Sequence, residues 1–175
     1  MTENPVFQAI FGRRSIRRYT EEPVTREHLA VILEAGRWAP SGLNNQPWRF
    51  LALARGRDDE RLAALEGCTK YAHILRGAGA VVLVFLDRAR TYHEMKDHQS
   101  IGACLQNMLL GAHALGLGGV WLGEIVNQSS RVLELLGLDG EAYEFQAALA
   151  FGHPAQEGSS SRLPLEDLLL EPLPE

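Results

Sequence analysis

The sequence AVVLVFL at residues 80–86 decides the fold class of this chain. It contains seven consecutive apolar residues, three of which are β-branched valines. A continuous apolar run of this length and composition predicts a β-strand that is buried on both faces. We therefore expect this strand to lie in the interior of the domain.

The segments on either side of this strand alternate between helical and extended patterns. Residues 97–115 carry apolar side chains at helical spacing together with small residues, which would let a second helix approach closely in the core or across a dimer. Further helices are predicted at 5–12, 25–39, 60–67 and 129–136, and further strands at 48–54, 120–122 and 147–151. Interspersed helices and strands indicate an α/β or α+β class.

Composition narrows the class of protein. The 175 residues fit one domain, and the net charge of −5 argues against general nucleic-acid binding. Cys68 and Cys104 form no C-x-x-C pair, so we expect a cytoplasmic protein without a disulfide framework. The sequence has no run of about 20 apolar residues that could span a membrane. The segment Met1–Gln8 lacks the apolar run of a signal peptide.

Two short stretches near the N-terminus carry the chemistry. The first, RRSIRRY at residues 13–19, holds four arginines and a serine, which are suitable donors for a planar or phosphorylated anion. The second, PSGLNNQPW at residues 40–48, is a turn followed by three side-chain amides. Each amide offers a donor and an acceptor to the edge of a heteroaromatic ring. Together the two stretches predict a phosphorylated aromatic cofactor.

The residues of these two stretches could instead have purely structural roles. The arginines could pair with acidic neighbours such as Glu21 and Glu22, and Arg18 is the arginine best suited to a structural role. Ser41 and Gly42 could serve turn geometry alone. Trp48 is expected to be a core residue rather than a cofactor contact.

Other types of site are excluded by spacing. A G-x-G-x-x-G fingerprint starting at Gly116 would need glycine at 121, where the chain has Trp121, and the segment follows a helix instead of a strand. A zinc motif H-E-x-x-H starting at His93 would need histidine at 97, where the chain has Asp97. The chain also contains no P-loop and no G-x-S-x-G nucleophile elbow. We therefore predict no metal and no side-chain nucleophile.

The two N-terminal stretches, together with FGHP at residues 151–154, resemble the FMN-dependent nitroreductase family. The resemblance extends over nearly the whole chain and includes Gln106-Asn107, LGLG at 115–118 and SRLP at 161–164. It implies an α+β fold, a three-layer α/β/α sandwich in which helices flank a mixed central sheet. It also implies a single FMN-binding domain that covers residues 1–175.

The resemblance further implies a set of cofactor-binding residues. The FMN phosphate and ribityl chain would contact Arg13, Arg14, Ser15 and Arg17, and the late basic residue Arg162 would close on the phosphate. A loop from the other subunit of a homodimer would reach the flavin through Pro40, Ser41, Gly42, Asn44 and Gln46. The backbone at Leu122, Gly123 and Glu124 would lie against the ring, with an N–H near Gly123 or Glu124 facing flavin N5. Ser15 could instead cap a local turn, and Arg162 could be an exposed ion-pair partner.

The implied activity is hydride transfer from NAD(P)H through FMN to a nitroaromatic, a quinone or a similar small acceptor by a ping-pong scheme. In this scheme the flavin performs the chemistry and the protein supplies binding and charge. The alternatives are an FMN-binding carrier or sensor without turnover, and a flavoenzyme of the same fold with different chemistry. Such chemistry includes reductive dehalogenation, flavin fragmentation and enone reduction.

The chain departs from the family pattern in two places. Residues 71–76 lack the asparagine and lysine that often contact the flavin pyrimidine, and Arg76 could replace the lysine. The helical insertion that covers the active site in many members is reduced to about Thr91–His98. Because this cover shapes the pocket, the second departure bears on substrate preference.

Overall fold

A four-stranded sheet forms the middle layer of the computed structural model, which describes residues 3–174. The strands are β1 (Trp48–Ala54), β2 (Ala80–Asp87), β3 (Gly118–Leu122) and β4 (Tyr143–Gly152), in the order β1-β2-β4-β3. All three pairings between them are antiparallel, whereas a mixed sheet was expected. Within the described residues, parallel pairing is limited to an isolated bridge between Ser15 and Gly119.

Six α-helices within residues 3–174 surround this sheet. They are α1 (Pro5–Gly12), α2 (Arg26–Arg37), α3 (Asp59–Glu66), α4 (Ala72–Gly77), α5 (Glu94–Ala114) and α6 (Ser129–Leu136). The element types agree with the sequence prediction except for α4, which was not predicted. The helix α5 begins at Glu94 instead of 97, and β4 begins at Tyr143 instead of 147. Met1, Thr2 and Glu175, at the ends of the predicted domain, lie outside the described residues, so the prediction for Met1–Gln8 falls partly outside them.

The strand β2 is buried on both faces, as predicted, and its side chains divide the interior into two cores. Val82 and Val84 pack in a cluster with residues of α2 and α5. Val81, Leu83 and Phe85 pack in a second cluster with residues of α3, α4 and α6. Because alternate strand residues point to opposite faces, one strand serves both clusters. The α+β class and the three-layer α/β/α arrangement are thereby confirmed.

Local sequence signals explain where several helices begin and end. The side chain of Asn4 accepts a hydrogen bond from the Val6 N–H at 2.9 Å, with Pro5 at the first helical position of α1. Thr25 caps α2 in the same way, by accepting from the His28 N–H. Gly137 ends α6 with φ at 65°, a left-handed conformation that glycine adopts without steric cost.

The small residues of α5 have two different environments. A Cβ added at Gly111 would lie 3.0 Å from the Ala35 Cβ, so this glycine allows close packing of α5 on α2. A Cβ added at Gly102 would meet no heavy atom within 4 Å in the described chain. The predicted helix–helix approach therefore occurs inside the chain at Gly111, while Gly102 lies on an open surface. Trp48, 4% exposed, belongs to the core, as predicted.

The arginine stretch lies as an extended segment between the sheet edge and the chain that follows β4. The Ile16 N–H donates to the Gly119 carbonyl at 3.1 Å, and the Thr20 N–H donates to the His153 carbonyl at 2.8 Å. The Tyr19 hydroxyl lies 2.6 Å from the Ile16 carbonyl oxygen and 3.1 Å from that of Ala150. Burial raises the pKa of Tyr19, so its hydroxyl stays a donor. This tyrosine fixes the stretch to the core.

We expect Tyr19→Phe to lower the free energy of unfolding by about 1–2 kcal/mol, because two part-buried carbonyl groups would lose their shared donor. Urea unfolding of the FMN-free protein would measure the change. Tyr71→Phe is the matched control, since the Tyr71 hydroxyl makes no hydrogen bond in the part of the chain that the structure describes. Equal stabilities of the two variants would contradict the anchoring role of Tyr19.

A histidine–carboxylate pair joins the first turns of α5 to the start of β4. The ring nitrogens of His98 lie 2.7 Å from the Glu94 carbonyl oxygen and 2.8 Å from Glu144 Oε1. Because both neighbours are acceptors, only the doubly protonated imidazolium can donate to both. The hydrogen bond to Glu144 raises the pKa of His98 above its ordinary value of 6.5. Partial burial raises the pKa of Glu144, but hydrogen bonds from His98 and Gln146 outweigh burial and lower it.

A histidine whose pKa is higher in the folded than in the unfolded state stabilises the fold, and this stabilisation is complete below the unfolded pKa. It is lost as the pH rises through the folded pKa. We therefore expect His98→Gln to reduce the free energy of unfolding more at about pH 5.5 than at about pH 8.5. Urea unfolding at the two pH values would test this sign. His73→Gln is the matched control, because the His73 ring makes no hydrogen bond within residues 3–174. A difference between wild type and His98→Gln that does not change with pH would contradict the prediction.

No helix among the described residues has both the length and the apolar character required to cross a bilayer.

Candidate functional site

Arg13, Arg14 and the distant Arg162 form a positively charged cluster. Arg13 is half-buried, and its Nε is buried without a hydrogen-bond partner among residues 3–174. Burial lowers the pKa of Arg13, and the positive charges of Arg162 and Arg14 lower it further, so the three guanidinium groups lie near one another. Three positive charges held close together repel one another, and one buried donor atom lacks a partner. A bound anion would offset the repulsion and accept from this donor.

No ion pair involves Arg13, Arg14, Arg17, Arg18 or Arg162 within the described part of the chain. The acidic neighbours do not neutralise the cluster. Glu22 instead lies 3.5 Å from His153 Nδ1. The alternative in which the arginine stretch pairs with Glu21 or Glu22 is therefore not observed.

Backbone contacts hold the members of the cluster in place. Arg14 Nη1 donates to the Phe11 carbonyl at 2.6 Å, which fixes its guanidinium at the end of α1. A Cβ added at Gly158 would lie 2.2 Å from the Arg14 Cβ, so the chain after β4 can cross Arg14 only with glycine at this position. Arg162 Nη1 donates to Ser160 Oγ at 2.9 Å and to the Ser161 carbonyl at 2.8 Å.

Ser15 and Arg17 lie along the edge of β3. The Ser15 hydroxyl makes no hydrogen bond with any residue that the structure describes, so the predicted alternative of a turn cap is not observed. The parallel bridge from Ser15 to Gly119 directs the following residues along β3, and Arg17 is exposed there. A cavity of about 400 Å³ lies beside this segment and is lined by residues that include Arg13, Arg14 and Gly116–Gly119. The glycine segment rejected as a nucleotide fingerprint thus forms a wall of this cavity.

The end of β3 leaves two backbone donors free. Leu122 is buried, and Gly123 and Glu124 start a short 3₁₀ turn. The N–H groups of Gly123 and Glu124 donate no hydrogen bond within residues 3–174. Trp121 is 43% exposed and lies alongside Gly123. Unpaired N–H groups at a sheet edge are available to an acceptor atom of a ligand.

The Glu124 carboxylate is held by two residues that precede α4. Thr69 Oγ1 donates to Glu124 Oε2 at 2.6 Å, and the Lys70 N–H approaches the same oxygen at 3.3 Å. The Tyr71 N–H in turn donates to Thr69 Oγ1 at 3.1 Å. The sequence prediction missed Thr69 and Lys70, because their partner lies more than fifty residues away in sequence.

The cation expected near the ring is not Arg76. Arg76 Nε donates to Glu66 Oε2 at 3.0 Å, so its charge is already paired. Lys70 forms no ion pair in the described part of the chain, and its ammonium lies 5.5 Å from the centroid of the Tyr71 ring. Lys70 is therefore a cation without an ion-pair partner among the described residues, and its backbone N–H contacts Glu124.

The amide loop contains three non-glycine residues with positive φ, namely Leu43 at 54°, Asn44 at 54° and Gln46 at 49°. No other described non-glycine residue has a positive φ. Such conformations cost free energy and are concentrated at functional sites. The Ser41 hydroxyl accepts the Gln46 N–H at 3.0 Å, so the turn role predicted as its alternative is observed.

Gly42 permits a close contact that a side chain would block. An added Cβ would lie 2.0 Å from the Tyr92 Oη, and Tyr92 therefore packs directly on the turn. Pro40 is exposed beside it, and Leu43 is 80% exposed. The loop presents the apolar side chain of Leu43 and the amide of Asn44 to the outside of the chain.

One chain does not bring the two predicted groups of residues together. The turn at Ser41 and Gly42 faces Tyr92, which precedes α5, and Lys96 and Ala103 in the first half of α5. The arginine cluster adjoins the other end of α5, where a Cβ added at Gly12 would lie 3.2 Å from His113 Nε2. Lys96 and His113 are 17 residues apart, or about 25 Å along a helix. The amide loop and the arginine cluster therefore lie near opposite ends of one helix.

The potential metal ligands and the two cysteines were compared with the requirements of a metal site and of a reactive thiol. No group of three or more His, Cys, Asp or Glu side chains within residues 3–174 could hold a metal ion. Cys68 and Cys104 are both buried, and burial raises the pKa of Cys104 to about 12. A buried thiol of this kind is a poor nucleophile.

Comparison with known proteins gives consistent matches along the chain. The model of the Nitroreductase family matches residues 10–69 and 66–153. The NADPH-flavin oxidoreductase of Vibrio harveyi is 33% identical over 167 residues, which cover 87% of this chain and 67% of that protein.

Two solved structures are also similar. A Desulfovibrio desulfuricans protein crystallised in complex with FMN is 60% identical, with a TM-score of 0.95 and coverage of 99% of this chain and 100% of that one. The NADPH:FMN oxidoreductase of Vibrio harveyi, solved in complex with NAD⁺, is 27% identical, with a TM-score of 0.87 and coverage of 98% and 77%.

Proposed function

This chain belongs to the nitroreductase family, and from this premise we propose that it reduces nitroaromatic, quinone or similar small acceptors by a ping-pong scheme. It is an NAD(P)H-dependent oxidoreductase that uses FMN, as its relatives from Vibrio harveyi and Desulfovibrio desulfuricans indicate. Bound FMN supplies the hydride chemistry between donor and acceptor, and the chain supplies binding, orientation and charge.

The arginine cluster is the observation that carries the cofactor assignment. A phosphate monoester carries nearly two negative charges and accepts several hydrogen bonds. It fits the guanidinium groups of Arg13, Arg14 and Arg162, which form no ion pair with a described residue. The free Ser15 hydroxyl and the exposed Arg17 lie on the same edge of the sheet. We propose that these five residues hold the phosphate and the ribityl chain.

The residues after β3 suit the edge of the flavin ring. The free N–H groups of Gly123 and Glu124 would donate to acceptor atoms of the ring, including N5. Thr69 fixes the Glu124 carboxylate and so limits movement of this loop. Lys70 would place a positive charge on the same side, where it would favour an electron-rich ring. In this proposal the catalytic contribution comes from backbone donors and fixed charge.

The separation of the two groups along α5 supports a homodimer with FMN at the subunit interface. The amide loop, residues 40–46, lies beside the first half of α5, whereas the arginine cluster adjoins the end of this helix, so the loop would reach the flavin of a second copy. Every residue of α1 is incompletely buried, and Val6, Phe7, Ile10 and Phe11 expose 43–62% of their surface. A second copy would cover this apolar helix.

The experiment that tests the function starts from the absorption spectrum of the purified protein and the identity of any flavin released on denaturation. Anaerobic stopped-flow mixing with NADH or NADPH should then bleach the flavin without an acceptor. A nitroaromatic or a quinone should restore the colour in a second mixing step. A protein that binds no FMN, or bound FMN that neither nucleotide reduces, would contradict the proposal. Reduction without reoxidation by any acceptor would favour a carrier or sensor.

A further inference from the structure

A second cavity lies at the beginning of α5, away from the arginine cluster. It measures about 320 Å³ and is formed by the turn of the amide loop and one face of α5. Its polar lining comes from Ser41, Tyr92, Lys96, Gln99 and Ser100. No acidic residue belongs to the lining that the structure describes. The lining therefore carries a net positive charge, although the chain as a whole has a net charge of −5.

Lys96 supplies the positive charge of this cavity. Its ammonium forms no ion pair in the described chain and lies 5.6 Å from the centroid of the Tyr92 ring. The adjacent acid, Asp97, is fully buried and accepts the N–H groups of Tyr92 and His93 at 2.9 and 2.8 Å. Asp97 therefore serves the backbone at the start of the helix and forms no ion pair with Lys96.

The neutral groups around Lys96 can also donate to an anion. The Ser41 hydroxyl accepts the Gln46 N–H, so its own proton is free to point elsewhere. The Gln99 side chain is exposed at the rim and offers two amide protons. One ammonium with neutral donors around it is a typical environment for a carboxylate or a phosphate oxygen.

The wall of the cavity is held in place before any ligand binds. Asp97 fixes the backbone at Tyr92 and His93, and the Tyr92 ring rests on Gly42. The segment Thr91–His98, expected to be a reduced active-site cover, thus runs directly into the first turns of α5. Lys96 is positioned by a helix and not by a mobile loop.

From this arrangement we infer that Lys96 forms a subsite for a negatively charged group of a substrate. The inference rests on the proposed function, because the adjoining amide loop reaches the flavin of the second subunit in that proposal. In that proposal the cavity would lie next to the flavin of the second subunit. The charged group is a carboxylate on the acceptor or a phosphate of the nicotinamide nucleotide, since both present oxyanions to the ammonium.

The acceptor arm of the test compares 4-nitrobenzoate with 4-nitrobenzamide, which differ in charge but hardly in shape. The readout is the kcat/KM for 4-nitrobenzoate divided by the kcat/KM for 4-nitrobenzamide. We expect Lys96→Gln to lower this ratio about fivefold, which is the size of effect typical of an exposed ion pair. Lys96→Arg should keep most of the wild-type ratio, and Lys96→Glu should lower it further than Lys96→Gln. The wild-type preference should also weaken at high salt.

The nucleotide arm measures flavin bleaching as a function of NADH or NADPH concentration without acceptor. If the subsite serves the nucleotide, Lys96→Gln raises the half-saturating concentration about fivefold and leaves the nitrobenzoate ratio near wild type. Arg61→Gln is the matched control for both arms, because Arg61 is an exposed cation on α3, on the opposite face of the sheet. It should leave both readouts at the wild-type value.

The two arms separate failure of this inference from failure of the proposed function. A wild-type enzyme that turns over, with both readouts the same in Lys96→Gln and Arg61→Gln, would overturn the subsite and leave the function standing. A wild-type protein whose flavin neither nucleotide reduces would overturn the function and the subsite together.

Discussion

The double variant Arg13→Gln/Arg162→Gln is expected to bind FMN at least about a hundredfold more weakly than wild type. Hydrogen bonds to charged groups contribute about 1.5–3 kcal/mol each, and this variant removes two guanidinium groups from the phosphate site. A loss of about 1.4 kcal/mol corresponds to a tenfold change in affinity. Titration of the FMN-free protein, followed by quenching of flavin fluorescence, would measure the dissociation constant.

The same variant is expected to keep or gain stability in the absence of FMN. Burial and the charges of Arg162 and Arg14 lower the pKa of Arg13, so its charged form is destabilised in the cluster. Removing two of the like charges relieves that repulsion, while glutamine keeps part of the side-chain packing. The opposite signs, weaker binding and undiminished stability, distinguish a binding site from a structural ion cluster. Urea unfolding of the FMN-free variants provides the second readout.

Arg18→Gln is the matched control for the double variant. Arg18 belongs to the same stretch and is exposed, and its side chain makes no hydrogen bond to any described residue. It should therefore leave the FMN dissociation constant close to the wild-type value. Wild-type affinity in the double variant, or an equally large loss in Arg18→Gln, would show that the stretch does not bind FMN through the residues assigned here.

The elements that could be predicted from sequence are those with a strong local signal. The strand β2 has a long β-branched run, and α1, α2 and α6 have a cap or a terminating glycine. The helix α4 has six residues, too few to show a helical period. The polar first turn of α5 and the polar first residues of β4 likewise lie outside the apolar patterns that mark these elements.

Strand direction is a property of the whole fold and not of a local pattern. The resemblance implied a mixed sheet, but β1, β2, β3 and β4 pair only in antiparallel fashion, and Ser15–Gly119 is an isolated parallel bridge. An apolar run buried on both faces is typical of parallel sheets, yet here helices cover both faces of an antiparallel one. The apolar run of β2 correctly predicted its burial, because burial depends on helices covering both faces of the sheet and not on the direction of the strands.

The candidate site was predictable to the extent that its residues are close in sequence. The arginine stretch and the amide loop are dense local patterns. In the structure the arginines of the stretch form no ion pair with a described residue, and the loop contains three non-glycine residues with positive φ. Thr69, Lys70 and Lys96 lie outside these patterns, because each acquires a role only through distant neighbours or its surroundings. Arg76 shows the converse, since a suitable charge in the expected segment is paired with Glu66.

Replacing Phe7 and Phe11 by glutamate is expected to convert the proposed dimer into monomers and to abolish most turnover. The two rings stack with centroids 5.7 Å apart and are 43% and 56% exposed, so neither is required in the core of its own chain. Burying a phenylalanine contributes about 1.5–3 kcal/mol, and burying an unpaired carboxylate in the same place is strongly unfavourable. Light scattering would give the mass, and steady-state assays at several protein concentrations would give the activity.

The loss of activity should follow dissociation, because each flavin would lack the amide loop of the second subunit. Activity per chain should therefore rise with protein concentration in the variant and stay constant in wild type. Leu135→Glu on α6 is the matched control, since Leu135 is also 43% exposed but lies on the other face of the sheet. A variant that remains dimeric, or monomers that keep wild-type turnover, would show that one chain completes the site, despite the distance between its amide loop and its arginine cluster.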